Sequence, residues 1–194
     1  ADGSWGEEHK LLSTDGDGGD GFGSSVSVSG RVIAVGAHEA GGVGSVYMFE
    51  RQADDSWTEQ QKLNASDADG NDYFGRSVSL SEGVVVIGAY GDDDRGSNSG
   101  SAYVFERRGD GAWSEQSKLL PNDGGYSSFG ISVSVSGQNV IVGAYGYNGA
   151  AYLFEYDPQL PAAVSAPTQR SNLLTNPPNP FNPTTTIRYS LATN

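Results

Sequence analysis

The sequence predicts an all-β fold built from three repeated units of four short strands. Three observations carry this reading. A motif of Trp-x-Glu-x-x-Lys-Leu, Phe-Gly, Gly-Ala and a closing Gly-small-x-Tyr-x-Phe stretch is written three times, with Phe22, Phe74 and Phe129 spaced 52 and 55 residues apart. After each Phe-Gly pair, serine alternates with an apolar residue, and a period of two belongs to a strand. The chain holds 28 glycines and only 18% charged residues, which suits tight turns between strands better than helices. A repeat near fifty residues marks an array or a propeller, in which no unit can bury its own apolar face alone.

Each unit is expected to contain the same strands in order. The first covers 25–29, 77–81 and 132–136, followed by a tight turn at Ser29-Gly30, Glu82-Gly83 or Ser136-Gly137. The second, at 32–35, 84–87 and 140–142, is almost entirely apolar and reads as a strand covered on both faces. The Gly-Ala that ends it has little side-chain bulk, so backbones can approach closely there. A variable loop leads to the third strand at 45–51, 101–107 and 150–156, whose Tyr and Phe share a face. The fourth, at 57–63 and 113–119, carries Trp, Glu and Leu on one side.

The third unit stops short of its fourth strand. Phe49 and Phe105 are each followed eight residues later by Trp, whereas the corresponding position after Phe154 is Ala162. The missing strand stands at the other end of the chain, at residues 5–11, beginning with Trp5. The N-terminal strand is therefore expected to complete the last blade. Three blades are too few wedges for a ring, since propellers typically have about four to eight. Six blades by dimerisation, or membership of a larger assembly, is the corresponding expectation.

The domain reading is blades over 1–157, a Pro/Ala-rich linker over 158–176, and a Pro-rich tail over 177–194 with one β-forming segment at 184–191, starting at Thr184. A lone strand needs a sheet edge to join, so the tail segment is a candidate connector between chains. The chain has no cysteine, which excludes disulfides and thiolate metal sites. Its net charge of −13 disfavours nucleic acid and anionic membranes and favours cations. No stretch approaches the roughly 18 apolar residues of a membrane span. The start at Ala1 suits a processed secreted protein.

The Phe-Gly and Gly-Ala pairs with their intervening Ser-Val-Ser resemble FG-GAP repeats, the blades of integrin α-subunit propellers. The Trp-x-Glu-x-x-Lys-Leu lead and the Gly-Ser-Ala-Tyr-Val-Phe strand look like the bacterial secreted subtype. The resemblance covers roughly residues 5 to 156. It implies four-stranded blades around an axis, an extracellular or bacterial cell-surface location, and adhesion or ligand binding in place of catalysis. The tail, Pro-Asn-Pro-Phe-Asn-Pro-Thr-Thr-Thr-Ile-Arg-Tyr-Ser-Leu, is similar to the opening of C-terminal sorting domains of the type IX secretion system.

Carboxylates cluster ahead of two Phe-Gly pairs. Asp15, Asp17 and Asp20 precede Phe22 at the same offsets at which Asp67, Asp69 and Asp72 precede Phe74. Alternating acids in a Gly-rich loop are what a hard cation such as Ca²⁺ requires, and these six are the candidate calcium ligands. Turn formation by Asp-Gly is the competing explanation. Integrin-type repeats place their calcium loop between Phe-Gly and Gly-Ala, where this chain has Ser-Val-Ser-Val-Ser-Gly, so those ligand positions do not carry over. Asp92-Asp93-Asp94 is a further acidic loop. The third copy has Asn122, Gly124 and Ser127 at the three offsets, which weakens a site there.

Neither His9 nor His38 lies in a nucleophile motif, and Glu7, Glu59 and Glu115 recur as blade-building residues, so no enzymatic activity is expected. The resulting expectation is a secreted, non-enzymatic propeller protein for adhesion or for an extracellular assembly or filament. It would self-associate, with an extracellular protein or glycan as a further partner. The alternatives are a propeller fragment of a larger secreted enzyme and a monomeric carbohydrate- or protein-binding module.

Overall fold

A computed structural model describes residues 5–121, 127–146 and 149–156, all within the unit Ala1–Leu160. The expected linker at 158–176 and the tail with its 184–191 segment lie outside the described residues, as do Asn122 and Gly124.

The described chain is almost entirely β. The first blade consists of β1 (Phe22–Ser29), β2 (Val32–Ala37), β3 (Ser45–Arg51) and β4 (Trp57–Leu63). The second consists of β5 (Ser77–Ser81), β6 (Val84–Ala89), β7 (Ser101–Arg107) and β8 (Trp113–Leu119). The third contains β9 (Phe129–Ser136), β10 (Asn139–Ala144) and β11 (Ala150–Glu155). Each sheet is an antiparallel meander in sequence order, four strands in the first two and three in the third. A short 3₁₀ turn at Ala40–Gly42 is the one helical element among the described residues. The fold class is that expected, three propeller-type blades, and the second strands run on through their Gly-Ala pairs.

Residues directly opposite in an antiparallel pair share a face, so the registers define the two sides of each blade. On the front of the second blade, Val78 and Leu80 face Ile87 and Val85, which in turn face Tyr103 and Phe105. This face packs against Ala34, Val46 and Met48 on the back of the first blade, with Leu63 and Trp113 closing the same cluster. The front of the third blade repeats the arrangement: Val135, Val140 and Val142 pack on Val86, Ala102 and Leu119 of the second. Phe22, Phe74 and Phe129 each lie edge-on to the Tyr of their own blade, at 5.5, 5.4 and 5.2 Å between ring centroids. Edge-to-face pairs add to the plain burial of apolar area.

The Phe-Gly and Gly-Ala pairs form the seams between blades. Gly75 and Gly130 adopt φ of 89° and 88°, a left-handed conformation that glycine enters without penalty. Their carbonyls turn onto the preceding blade, where Ser25 Oγ donates to Gly75 O at 2.7 Å and Ser77 Oγ donates to Gly130 O at 2.8 Å. The seats are Gly36 and Gly88, where any Cβ would fall inside van der Waals distance of those same carbonyl oxygens. Short parallel bridges, Gly44 with Phe74 and Gly100 with Phe129, complete each seam.

Two expectations differ from the structure. Residues 5–13 form no strand, so the third sheet has three described strands and β11 does not pair with residues 5–11. Leu11 packs on the first blade beside Phe22, Ile33 and Trp57. It sits there as Leu63 sits on the second blade and Leu119 on the third. The second strand is covered on both faces in the first two blades, but Ile141 of β10 is exposed because no further blade among the described residues packs on it.

Candidate functional site

The polar centre of the molecule lies where the fourth strand, the Tyr of the third strand and the incoming acidic loop meet. The alternation of β8 places Lys118 opposite Tyr103 of β7. Its Nζ lies 2.7 Å from Asp67, 2.7 Å from Asp92 and 2.6 Å from Asp94. The Tyr103 hydroxyl points at the same carboxylates, 2.8 Å from Asp67 Oδ1 and 3.0 Å from Asp92 Oδ2. The ammonium also lies 5.2 Å from the centre of the Tyr103 ring, a cation–π distance.

The first blade repeats this set with fewer acids. Lys62 Nζ is 2.8 Å from Asp15 Oδ2, Tyr47 donates to Asp15 Oδ1 at 2.8 Å, and the ammonium lies 5.0 Å from the Tyr47 ring centre. Ala40 stands where the second blade has Asp92, three residues beyond the Gly-Ala alanine.

Electrostatics lock these groups in their charged or neutral forms. Hydrogen bonding to Asp15, then to Tyr47, pushes Lys62 up to about 12. Burial acts to lower Lys118, but its hydrogen bonds to Asp67, Asp92 and Asp94 outweigh that and hold it above the ordinary lysine value. Burial acts to raise Asp67, and the hydrogen bonds from Lys118 and Tyr103 overcome it, leaving the carboxyl below its usual range. Burial, then the hydrogen bond to Asp67, pushes the Tyr103 phenol well up. A permanently protonated lysine and a neutral tyrosine are poor acid–base reagents near neutral pH. The cluster is built to hold charge and tie three chain segments together.

The six candidate calcium ligands do not converge on one point in either loop. Asp15 and Asp67 reach the lysine and tyrosine. Asp20 accepts from the Asp17 backbone N–H at 2.8 Å, and Asp72 accepts from the Asp69 N–H at 2.7 Å. Asp69 accepts from Gly70 N–H at 2.7 Å. These are turn-capping bonds. Among the described residues, the carboxylates that come within 4.8 Å of one another are Asp67, Asp92 and Asp94. An ion there would compete with the Lys118 ammonium for the same oxygens.

Sequence reasoning missed the roles of Lys62, Lys118, Tyr47 and Tyr103, which it treated only as parts of the repeated motif. A signal was present. The two copies with an Asp seven residues before Phe-Gly also carry their own fourth-strand lysine, and the third copy has neither. Glu59 and Glu115 clamp the incoming loops, accepting from the backbone N–H of Thr14 at 3.0 Å and of Ser66 at 2.9 Å. Their blade-building role is thereby explained. His38 sits 3.7 Å from Glu39 and near Tyr73, beside the seam.

The sequence matches the FG-GAP repeat family over residues 5–49, 57–105 and 113–154. Each matched segment opens on a Trp-x-Glu-x-x-Lys-Leu stretch and ends on the Phe of the third strand. No curated protein matches the chain. No helix among the described residues is long and apolar enough to cross a membrane. The chain belongs to the FG-GAP repeat family.

Proposed function

We propose that this FG-GAP repeat protein is a secreted or cell-surface, non-enzymatic building block that acts in adhesion or as a subunit of an extracellular assembly or filament. The observation that carries the reading is the pair of blade faces left unmated. Two internal seams bury front against back, while Val26 and Val28 on the front of the first blade and Ile141 and Leu153 on the back of the third stand in the open. Large exposed apolar surfaces on a strongly acidic protein mark interaction sites. The locked lysine–carboxylate clusters support a mechanical role, since they cross-link segments and hold no group poised for proton transfer. The family and the sorting-type tail support the extracellular location.

The test is the mass of the full chain by sedimentation over a wide concentration range. Assembly that grows with concentration is the expected result. A monomer at every concentration contradicts the assembly role and leaves a monomeric binding module as the reading.

A further inference from the structure

We infer that two copies of this chain join head to tail through a third copy of the seam already present twice inside it, with residues 5–11 of one copy supplying the missing fourth strand of the third blade of the other. The inference rests on the assembly reading above and names its partner and its interface.

The internal seams are the template. In each, a serine of the preceding blade binds the Phe-Gly carbonyl of the next, and a second serine accepts from the next blade's backbone: Leu80 N–H donates to Ser27 Oγ at 2.9 Å, and Val135 N–H donates to Ser79 Oγ at 3.0 Å. The third blade has the corresponding serines, Ser132 and Ser134, at the same offsets from Phe129. They line a hollow of about 210 Å³ on the back of that blade, together with Ile141, Gly143 and Ala151. The first blade has the matching insert. Phe22-Gly23 has no seat to fill, and Gly23 holds φ of 89°, as Gly75 does, with nothing within 4 Å of where a Cβ would stand. Gly149 is equally open, whereas Gly100, its counterpart, is pressed against Phe129. Among the described blades, the third is a seat without an insert and the first is an insert without a seat.

The exposed apolar residues gather on the same two surfaces. Val26 and Val28 stand on the front of the first blade, and Ile141 and Leu153 on the back of the third. Of their counterparts, Val78, Leu80 and Val86 are buried inside the chain and Val104 is partly buried. Docking therefore covers side chains that the fold already covers elsewhere.

The N-terminal segment fits the remaining vacancy. In the internal seams, the strand that leads into a blade is hydrogen-bonded to the blade before it, while its final Leu packs on the blade that follows. Leu11 already packs on the first blade, and Thr14 is already clamped by Glu59. When the first blade of one copy seats on the third blade of another, residues 5–11 are carried to the open edge of β11. The registers of Val46 with Leu63 and of Ala102 with Leu119 translate to Ala151 with Leu11. They likewise place Lys10 against Tyr152, the Lys–Tyr pairing of the other blades, and His9 against Leu153. Such an edge is a ready template for an added strand. Because insert and seat are different surfaces, the contact is heterologous. It closes into a six-bladed ring of two chains or continues as a filament, depending on the rotation per step.

The test uses single-cysteine variants of the full chain, which has no cysteine of its own. His9→Cys and Leu153→Cys are prepared separately, mixed and oxidised, and the disulfide species are read by mass. The expected result is a mixed dimer in several-fold excess over either homodimer. The double variant is oxidised at low and high concentration, with Val104→Cys/Ser117→Cys as an internal control for the same register, since Val104 and Ser117 face each other in the second blade. Chain-to-chain bonds in the double variant support the joint; a monomer closed on itself overturns it in favour of closure within one chain. Assembly of the unmodified chain without the mixed dimer overturns the joint but leaves the assembly role standing. A monomeric unmodified chain overturns both.

Discussion

Val78 and Leu80 in the second blade are 9% and 6% exposed, whereas Val26 and Val28, at the same positions of the first, are 67% and 65% exposed. Nothing in the strands themselves accounts for this, since both blades carry the same Ser-apolar alternation and the same pairing to the second strand. The difference lies in the neighbour. The second blade is wedged between two others, and each end blade has one. Burial in a repeat array is thus a property of the stack, and an end unit keeps the interface chemistry of an internal one. Burying a valine contributes about 1.5–3 kcal/mol. Each open end therefore holds a driving force for association that the middle of the chain has already used.

Substitutions at matched positions break or sharpen this comparison. The largest expected effect is Phe74→Ala, which removes a fully buried ring from the first seam and is expected to cost about 3–5 kcal/mol in a denaturant melt. Phe22→Ala, at the open end, should cost clearly less in the isolated chain; equal losses would contradict the role assigned to the seam. Next comes Gly88→Ala, whose new methyl meets the Gly130 backbone carbonyl, with an expected loss of about 3 kcal/mol. Gly143→Ala meets only Ser132, mainly its movable hydroxyl, so it should leave monomer stability nearly intact while weakening self-association.

The two lysine clusters form a second matched pair. Lys118→Met leaves Asp67, Asp92 and Asp94 facing one another without their cation, and is expected to cost about 3 kcal/mol, the low end for breaking a buried pair. Lys62→Met strips a single exposed carboxylate of its partner and should shift the melting temperature much less. The pH dependence follows the same site. Asp67 is held below the ordinary value of 3.8, so its contribution is complete above that value and is lost as pH falls through the lowered folded-state value. Asp72 has the opposite sign. Burial raises it, so its charge opposes folding at neutral pH and that opposition fades on acidification. Asp72→Asn should therefore be neutral or slightly stabilising at pH 7 and should steepen the acid limb of the profile, because the offset that Asp72 gives on acidification is lost.

The smallest expected effect is that of calcium. Lys118 already sits among the oxygens an ion would take, so chelator should leave the melting temperature of the unmodified chain unchanged. Lys118→Met opens the site and should acquire a calcium-dependent rise. A large chelator shift in the unmodified chain would instead support an ion at Asp67 and its neighbours.

The strand order and the blade repeat were legible in the sequence because period-two alternation and recurring turn residues report local backbone geometry. The strands 45–51, 57–63, 101–107 and 113–119 match their expected bounds. What was not legible was long-range. Asp67 is 51 residues from Lys118, and no local pattern joins them. Likewise, residues 5–11 have the composition of a fourth strand, but a strand exists only where an edge is present to receive it. The covering of the second strands failed to hold in β10 for the same reason: its sequence is that of an internal blade, but no described blade packs on its back.

The most direct measurement is hydrogen exchange on the full chain across a concentration series. The joint requires the amides of 5–11 and of Ala150–Glu155 to gain protection together as concentration rises, while those of Ser101–Arg107, already paired on both sides, stay constant. Protection of 150–155 without any change in 5–11 would mean that another segment, such as 184–191 of the tail, occupies the β11 edge. That result would contradict the head-to-tail joint.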